Sequence, residues 1–232
     1  MEQYNMRSNF YPAKEPINGY IGHADLMISN IIRLNGIAVF ENGDKPGHHI
    51  QFPGFGDNGS YVVPHSAEAY AQMLDVVEKA IANKKHFALV TGKRNPQLSV
   101  SGQAVDEPYA DGRFALDVGD ICTIHGITTQ VVPYAKDGKE SSFISVRVPS
   151  LPPYEKDGDM KYPPVFKGLK STYTVKGEEK HTDYAQLIQA MVISERKKVL
   201  AKAPLENQMG DAAQKAGQAA PGKEAPVQEA QR

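Results

Sequence analysis

Residues 24–43, ADLMISNIIRLNGIAVFENG, decide how the rest of the chain is read. The stretch is rich in β-branched and apolar residues. Ile28, Asn30, Ile32 and Leu34 alternate with Met27, Ser29, Ile31 and Arg33, the two-residue period of a strand. Asn35-Gly36-Ile37 interrupts it as a Gly-Ile turn. The same punctuation returns at His125-Gly126-Ile127, inside GRFALDVGDICTIHGITTQVVPYAKDG (112–138), an offset of 90 residues. At that offset Ile31 falls on Ile121 and Ile28 on Val118. A strand pair is expected in each half.

Working outward, Asn42-Gly43 and Pro46-Gly47 mark a turn, and HHIQFPGF resumes as a strand cut short by Pro53. Its counterpart is ISVRVPS, with Pro149 on Pro53. DNGSYVVP reads as a hairpin return through Asn58-Gly59. In the second half the long LPPYEKDGDMKYPPVFKGLKS replaces it. Ser66 is a good N-cap for AEAYAQMLDVVEKAIANKK, where Tyr70, Met73, Leu74, Val77 and Ile81 form one apolar stripe. Asp183 opens DYAQLIQAMVISERKKVLAKA, with Tyr184, Leu187, Ile188, Met191 and Val192 as the matching stripe. Aligning the two Tyr-Ala-Gln words puts Tyr70 on Tyr184. QLSVSGQAVD supplies a first strand for the second half, as NMRSNFYPA does for the first; KKHFALVTGKRN lies in the linker between them.

The order strands, Gly-Ile turn, strand ending in Pro, hairpin or loop, Tyr-Ala-Gln helix therefore occurs twice. The expected fold is α+β: two tandem modules, each a twisted antiparallel β-sheet of four or five strands packed by a helix, arranged as a pseudo-dimer. The modules span 1–86 and 87–203. From 204 to 232 the composition turns to Ala, Gln, Gly and Pro. Such a stretch buries too little surface to offset an ordering cost of about 1–2 kcal/mol per residue, so it is expected to be a disordered tail, with a weak helix in DAAQKAGQAA as an option.

Bulk properties exclude several classes. Of 232 residues 41% are apolar and 23% charged, ordinary for a globular protein. No apolar run approaches the roughly 20 residues of a membrane span. The start lacks the basic and apolar regions of a signal peptide, and Cys122 is the only cysteine. A reduced, cytoplasmic setting is expected, with Cys122 buried in a strand. A net charge of −1 argues against a strongly basic nucleic-acid binder but permits a local basic face.

The run from Ala24 to Ile81 resembles the bacterial SpoVG (septation protein) family. The matching residues are Ile28, Ile37, Val39, Gly43, Ile50, Pro53, Gly59, Tyr61, Pro64 and Ile81. In the second half they are Val118, Ile127, Val131, Val146, Val148, Pro149 and Ser150. The resemblance implies a small module that dimerises, binds DNA or RNA and acts as a non-catalytic cytoplasmic regulator. Family members are usually single modules, whereas here there are two, so one chain would act as its own pseudo-dimer, with higher oligomers left open. The family's strand-ending Pro is followed by Ser and basic residues. Pro149-Ser150 keeps that pattern in part, whereas PGFGDNG after Gln51-Phe52 carries no cation.

The candidate nucleic-acid ligands therefore lie in the second module: Arg147, Lys156, Lys161, Lys167 and Lys170, then Arg196, Lys197 and Lys198 at the last helix. Tyr154, Tyr162 and Phe166 interleave with them, as suits a phosphate track with stacking platforms. The stretch 49–70 contains no Lys or Arg. Its Phe52, Phe55 and Tyr61 instead fit the alternative function, a protein-interaction adaptor whose partner docks on the first module. No catalytic constellation, metal site or cofactor motif is expected. His48 and His49 are adjacent, so on a strand they face opposite sides. GFGDNG lacks the Lys-Ser/Thr of a phosphate loop.

Overall fold

The computed structural model of the chain describes residues 3–43, 45–55, 59–92, 95–136, 139–175 and 178–218. The first half runs β1 (Met6–Ile17), β2 (Tyr20–Ile28), β3 (Ile32–Glu41), β4 (His48–Gln51), β5 (Val62–Pro64), α1 (Ala67–Ala82) and β6 (Phe87–Val90). The second runs β7 (Leu98–Glu107), β8 (Ala110–Val118), β9 (Cys122–Lys136) and β10 (Lys139–Arg147). It continues through β11 (Tyr154–Lys156), β12 (Asp159–Lys161), β13 (Phe166–Gly168), β14 (Lys170–Val175), β15 (Glu178–Asp183) and α2 (Tyr184–Gln218). The class is α+β, and the strand pairings are antiparallel.

The 24–43 stretch contains a strand pair as expected, but the chain turns at Ser29-Asn30 and not at Gly36. Ser29 and Asn30 take left-handed backbone conformations (φ 49° and 55°) and turn β2 into β3. Leu26, Ile28, Ile32 and Leu34 are all buried on one face, because the turn returns the chain to the same side of the sheet. Asn35-Gly36 is not a turn. It is a bulge inside β3, where the register shifts from Leu26↔Leu34 to Ala24↔Ile37. In β9 the shift from Leu116↔Ile124 to Phe114↔Ile127 lies 90 residues on at every position. Gly36 (φ 69°) and Gly126 (φ 85°) occupy the left-handed region that such a bulge needs. Asn18-Gly19, with φ of 51° and 79°, closes the β1–β2 hairpin.

Two large sheets result. The six-stranded one has the order β13-β3-β2-β1-β6, with β4 also on β3; the five-stranded one has β10-β9-β8-β7, with β5 also on β9. Each sheet thus takes a strand from the other half of the chain. After β4 the chain leaves the first sheet, and Val62, Val63 and Pro64 pair with Ile124, Thr123 and Cys122. After β10 it leaves the second sheet, and Phe166, Lys167 and Gly168 pair with Leu34, Arg33 and Ile32. The flanking bonds correspond as well. His125 N–H donates to the Tyr61 carbonyl (2.7 Å) and Asn35 N–H to that of Val165 (2.8 Å). His65 N–H donates to Ile121 C=O (3.0 Å), and Leu169 N–H to Ile31 C=O (2.9 Å). The buried side chains of both halves form one continuous core.

Beyond these arms the second half is the more elaborate. The segment expected as a long loop contains the β11–β12 hairpin and β13, and a further hairpin, β14–β15, precedes α2. The linker also holds structure, since β6 pairs with β1 at the edge of the first sheet. α2 is helical to Gln218, taking in the first part of the stretch expected as a tail; residues 219–232 lie outside the described residues.

Both helices are capped as their sequences suggest. Ser66 Oγ accepts from the Ala69 N–H at 3.1 Å, and Asp183 Oδ1 from the N–H groups of Ala185 and Gln186 at 3.1 and 3.2 Å. These backbone bonds, that of Gln186 first, hold the Asp183 carboxyl below its ordinary pKa. The repeated Tyr-Ala-Gln word is one residue out of phase with packing. In α1 the core takes Ala69, Met73, Val76, Val77 and Ala80, and in α2 Ile188 and Val192. Leu187, which the word would set on Met73, is 41% exposed. Met73 and Val77 therefore correspond to Ile188 and Val192, and Tyr70 to Ala185.

Truncating a buried core side chain costs about 2–5 kcal/mol. Ile188→Ala and Met73→Ala are each expected to fall in that range in urea unfolding. Leu187→Ala is expected to cost less than about 1 kcal/mol; equal losses at 187 and 188 would overturn this helix register.

Candidate nucleic-acid interface

The exchange of strands sets the geometry of the candidate site. Burial of Leu34, Ile37 and Val39 on β3 leaves Arg33, Ala38 and Phe40 on the opposite, outer face of the first sheet. β13 adds Lys167 to that face beside Arg33. The ladder then continues from Arg33 to Met27, from Met27 to Arg7, and from Arg7 to Leu89. Lys167, Arg33 and Arg7, from three strands, thus lie in one row across the sheet.

Aromatic rings share this face. Tyr11 stacks on His23 with centroids 4.9 Å apart, and Phe40 on His49 at 5.2 Å. Tyr20 meets Phe40 edge-on at 5.5 Å. Asp25, buried among them, is bonded by Arg33 and accepts from the Tyr11 hydroxyl at 3.2 Å. Burial would lower the Arg33 pKa, but the hydrogen bond and charge of Asp25 outweigh it and raise the value. With Asp25 matched to Arg33, Arg7 and Lys167 leave this row net positive.

The structure disperses the other sequence-expected cations. Lys156 and Lys161 lie on the exposed β11–β12 hairpin, where Lys161 pairs with Asp159 at 2.9 Å. The base of that hairpin is seated on β3: Asn35 Nδ2 donates to the Pro164 carbonyl at 2.8 Å, and the Leu151 side chain packs over Gly36. Tyr154 and Tyr162 are exposed beside these lysines, whereas Phe166 is buried. Arg147 is on the second sheet, in a row with Thr128, Arg113 and Gln103. Lys170 lies 3.5 Å from Asp183. Lys197 and Lys198 are exposed on α2, with Lys198 2.8 Å from Glu195.

Arg196 has a structural role. Its guanidinium donates to both carboxylate oxygens of Asp111, at 3.0 and 2.6 Å, and its side chain is only 12% exposed. The bond pins α2 to β8. Thr129 Oγ1 donates to the same carboxylate at 2.6 Å. The Arg196 hydrogen bond, then that of Thr129, holds the Asp111 carboxyl below its ordinary pKa against the opposing effect of burial.

On the first half, Phe52 is buried in the core, but Phe55 is 53% exposed and Tyr61 lies against Gly126. Phe55 and Tyr61 overhang an open cleft of about 700 Å³ on the second sheet. Cys122 is fully buried, and burial, then the Asp117 charge, pushes its thiol up to about 12. Among the described residues no group of three or more His, Cys, Asp or Glu side chains is placed to hold a metal ion, and no helix is long and apolar enough to cross a membrane.

Arg7 and Arg33 are absent from the cations that the sequence singles out, although alternation on either side of buried residues places them outside. What could not be read was the delivery of Lys167 to their row, because that depends on β13 leaving its own half. No family model matches the chain, and neither a curated protein nor a solved structure does.

Loss of hydrogen bonds to a charged group costs about 1.5–3 kcal/mol, and Arg196→Ala is expected to lose that much stability. The sign of the pH effect follows from the depressed Asp111 value. Its contribution is full above the unfolded pKa near 3.9 and is lost as pH falls through the lower folded value. The stability gap between wild type and Asp111→Asn, from urea melts between about pH 6 and pH 2, should therefore narrow towards acid. A gap that widens towards acid contradicts the assignment.

Proposed function

We propose that the chain is a non-catalytic nucleic-acid-binding regulator of the SpoVG type, built from two diverged tandem modules folded as an intramolecular pseudo-dimer. The equal registers of β2–β3 and β8–β9, and the reciprocal pairing of β5 and β13, support the duplicated architecture. They are what a homodimer exchanging arms would show if its two chains were joined.

The observation that carries the functional reading is the row Lys167, Arg33, Met27 and Arg7 on the outer face of the first sheet. An open antiparallel face with cations and rings suits a flexible single strand. Phosphates meet the cations, and bases stack on rings such as Tyr11, His23 and Phe40. Lys156, Lys161 and Tyr154 on the β11–β12 hairpin, with Tyr162 just after it, are exposed next to the edge at Asn35-Gly36 and offer further contacts. The site is composite, because the second module contributes Lys167 to the first module's sheet. Arg196 is assigned to Asp111 rather than to phosphate, and Arg147, Lys170, Lys197 and Lys198 to the periphery.

A second reading has its own observation. The second sheet exposes Phe143, Tyr134 and Val63, and the arm above it exposes Phe55, which suits a protein partner of an adaptor. Anisotropy with labelled single- and double-stranded DNA and RNA, at several salt concentrations, separates the two. Removing one phosphate-binding cation should shallow the log-affinity against log-salt slope by about 0.7 for a single strand. Arg7→Ala and Lys167→Ala are each expected to weaken binding and flatten the slope by about that amount, while Lys45→Ala leaves both unchanged. No binding to any nucleic acid at low salt would end the first reading and promote the adaptor.

A further inference from the structure

We propose that the cavity between β10, β13 and the first turns of α2 binds a small phenol-bearing molecule. Its volume is about 380 Å³, and Val146, Val148, Phe166, Ala185 and Ile188 supply its apolar wall. That size falls in the roughly 300–1,000 Å³ range of small-molecule sites. The inference rests on the correspondence of positions between the halves and not on nucleic-acid binding.

The corresponding place in the first half shows what chemistry fits. Ile50 pairs with Val39 as Val146 pairs with Thr129, so Ile50 and Val146 correspond, and with them Phe52 and Val148. There the ring of Tyr70 reaches the free edge of β4. Its hydroxyl accepts the Ile50 N–H at 2.9 Å and donates to the Ile50 carbonyl at 3.1 Å. Phe52 is buried alongside.

In the second half both aromatic groups are cut back. The helix register puts Ala185 where α1 has Tyr70, and Val148 stands for Phe52. The open pocket is lined by these same positions, Val146, Val148 and Ala185, where the first half has Ile50, Phe52 and the Tyr70 ring. Val146 is in the same phase of its ladder as Ile50, so its N–H and C=O face away from β9 at this edge. A phenol offers one donor and one acceptor to such a pair, and its ring suits the walls. Lys167 and Gln189 also line the cavity, so a neutral or anionic substituent fits better than a cationic one.

The full-length protein is titrated with p-cresol, the tyrosine side-chain analogue, and with toluene, following the amide resonances of Val146 and Ala185. Saturable shifts are expected with p-cresol, at an affinity about fivefold above that of toluene, the factor for one net hydrogen bond. Ala185→Tyr, which restores the ring of the first half, should raise the thermal midpoint and abolish the response. If Ala185→Tyr does not fold, judged by circular dichroism, Val148→Phe decides: it should weaken p-cresol binding at least several-fold. Equal affinity for toluene, or unchanged p-cresol binding in the folded variant, overturns the proposal. Nucleic-acid affinity measured on the same variants reports on the other reading separately.

Discussion

Everything in this molecule hangs on two backbone pairings that tie each half of the chain into the sheet of the other. β3 is paired on one side with β2 along its length, and β9 with β8 from Cys122 to Thr129. On the other side they are shared: β4 or β10 takes the end beyond the bulge, and β13 or β5 takes the end before it. A bulge at Gly36 or Gly126 separates the two zones. The extra residue raises the local twist, so two neighbours need not be collinear. An unshared edge would leave the backbone groups of Ile32–Leu34 and Cys122–Ile124 without ladder partners in a largely apolar setting, a cost comparable to several missing hydrogen bonds. The crossing arms satisfy them. Neither sheet is complete without the other half.

The same constraint explains why the candidate interface could not be drawn from the sequence as one contiguous motif. Lys167 belongs to the second half by position but to the first sheet by pairing, where it lies beside Arg33 and in one row with Arg7. Charge read along the chain makes the first half look poor in cations and concentrates the expectation on 147–198. Folding redistributes that charge. Arg196, which by sequence sits in a basic cluster at a helix end, is drawn inward to Asp111, 85 residues away. The four residues Glu195-Arg196-Lys197-Lys198 alone do not distinguish the inward cation, but Arg196 lies four residues beyond Val192 and eight beyond Ile188, on the buried face of the helix.

What is legible follows from period and punctuation. Alternation marks the strand-rich stretches, Ser66 and Asp183 mark the starts of both helices, and Cys122 reads correctly as a buried small apolar residue. The misreadings have physical causes. Ser29-Asn30 does not announce itself as a turn, because neither residue is glycine and apolar residues continue on both sides. Gly36 reads as a turn because a bulge and a turn demand the same positive φ. Phe87–Val90 disappears into a linker, since a four-residue edge strand with one buried face shows too few alternations to stand out. The Tyr-Ala-Gln words align by identity, whereas burial sets Met73 against Ile188. An identical word in two helices does not make its residues equivalent in packing when the preceding segments differ in length, and β14–β15 precedes only α2.

That asymmetry has a direction. The second half carries the β11–β12 hairpin, the β14–β15 hairpin and the longer helix α2, while the first sheet has β6 after its helix. The first half instead closes itself, with Tyr70 capping the edge of β4 and Phe52 filling the space beside it. Substituting Ala185 and Val148 at the corresponding positions removes apolar contact area that the first half retains, and cavities of this kind destabilise in proportion to their volume. A compensating tie is found near by, since Arg196 clamps α2 to Asp111 about three turns further along the helix, a rise of roughly 16 Å from Ala185. The charge-assisted, bidentate geometry of that clamp fixes α2 on its sheet independently of packing at its N-terminal end. The first turns of α2, where Ala185 and Gln189 are exposed, can therefore border an open pocket at the edge of the core without freeing the helix.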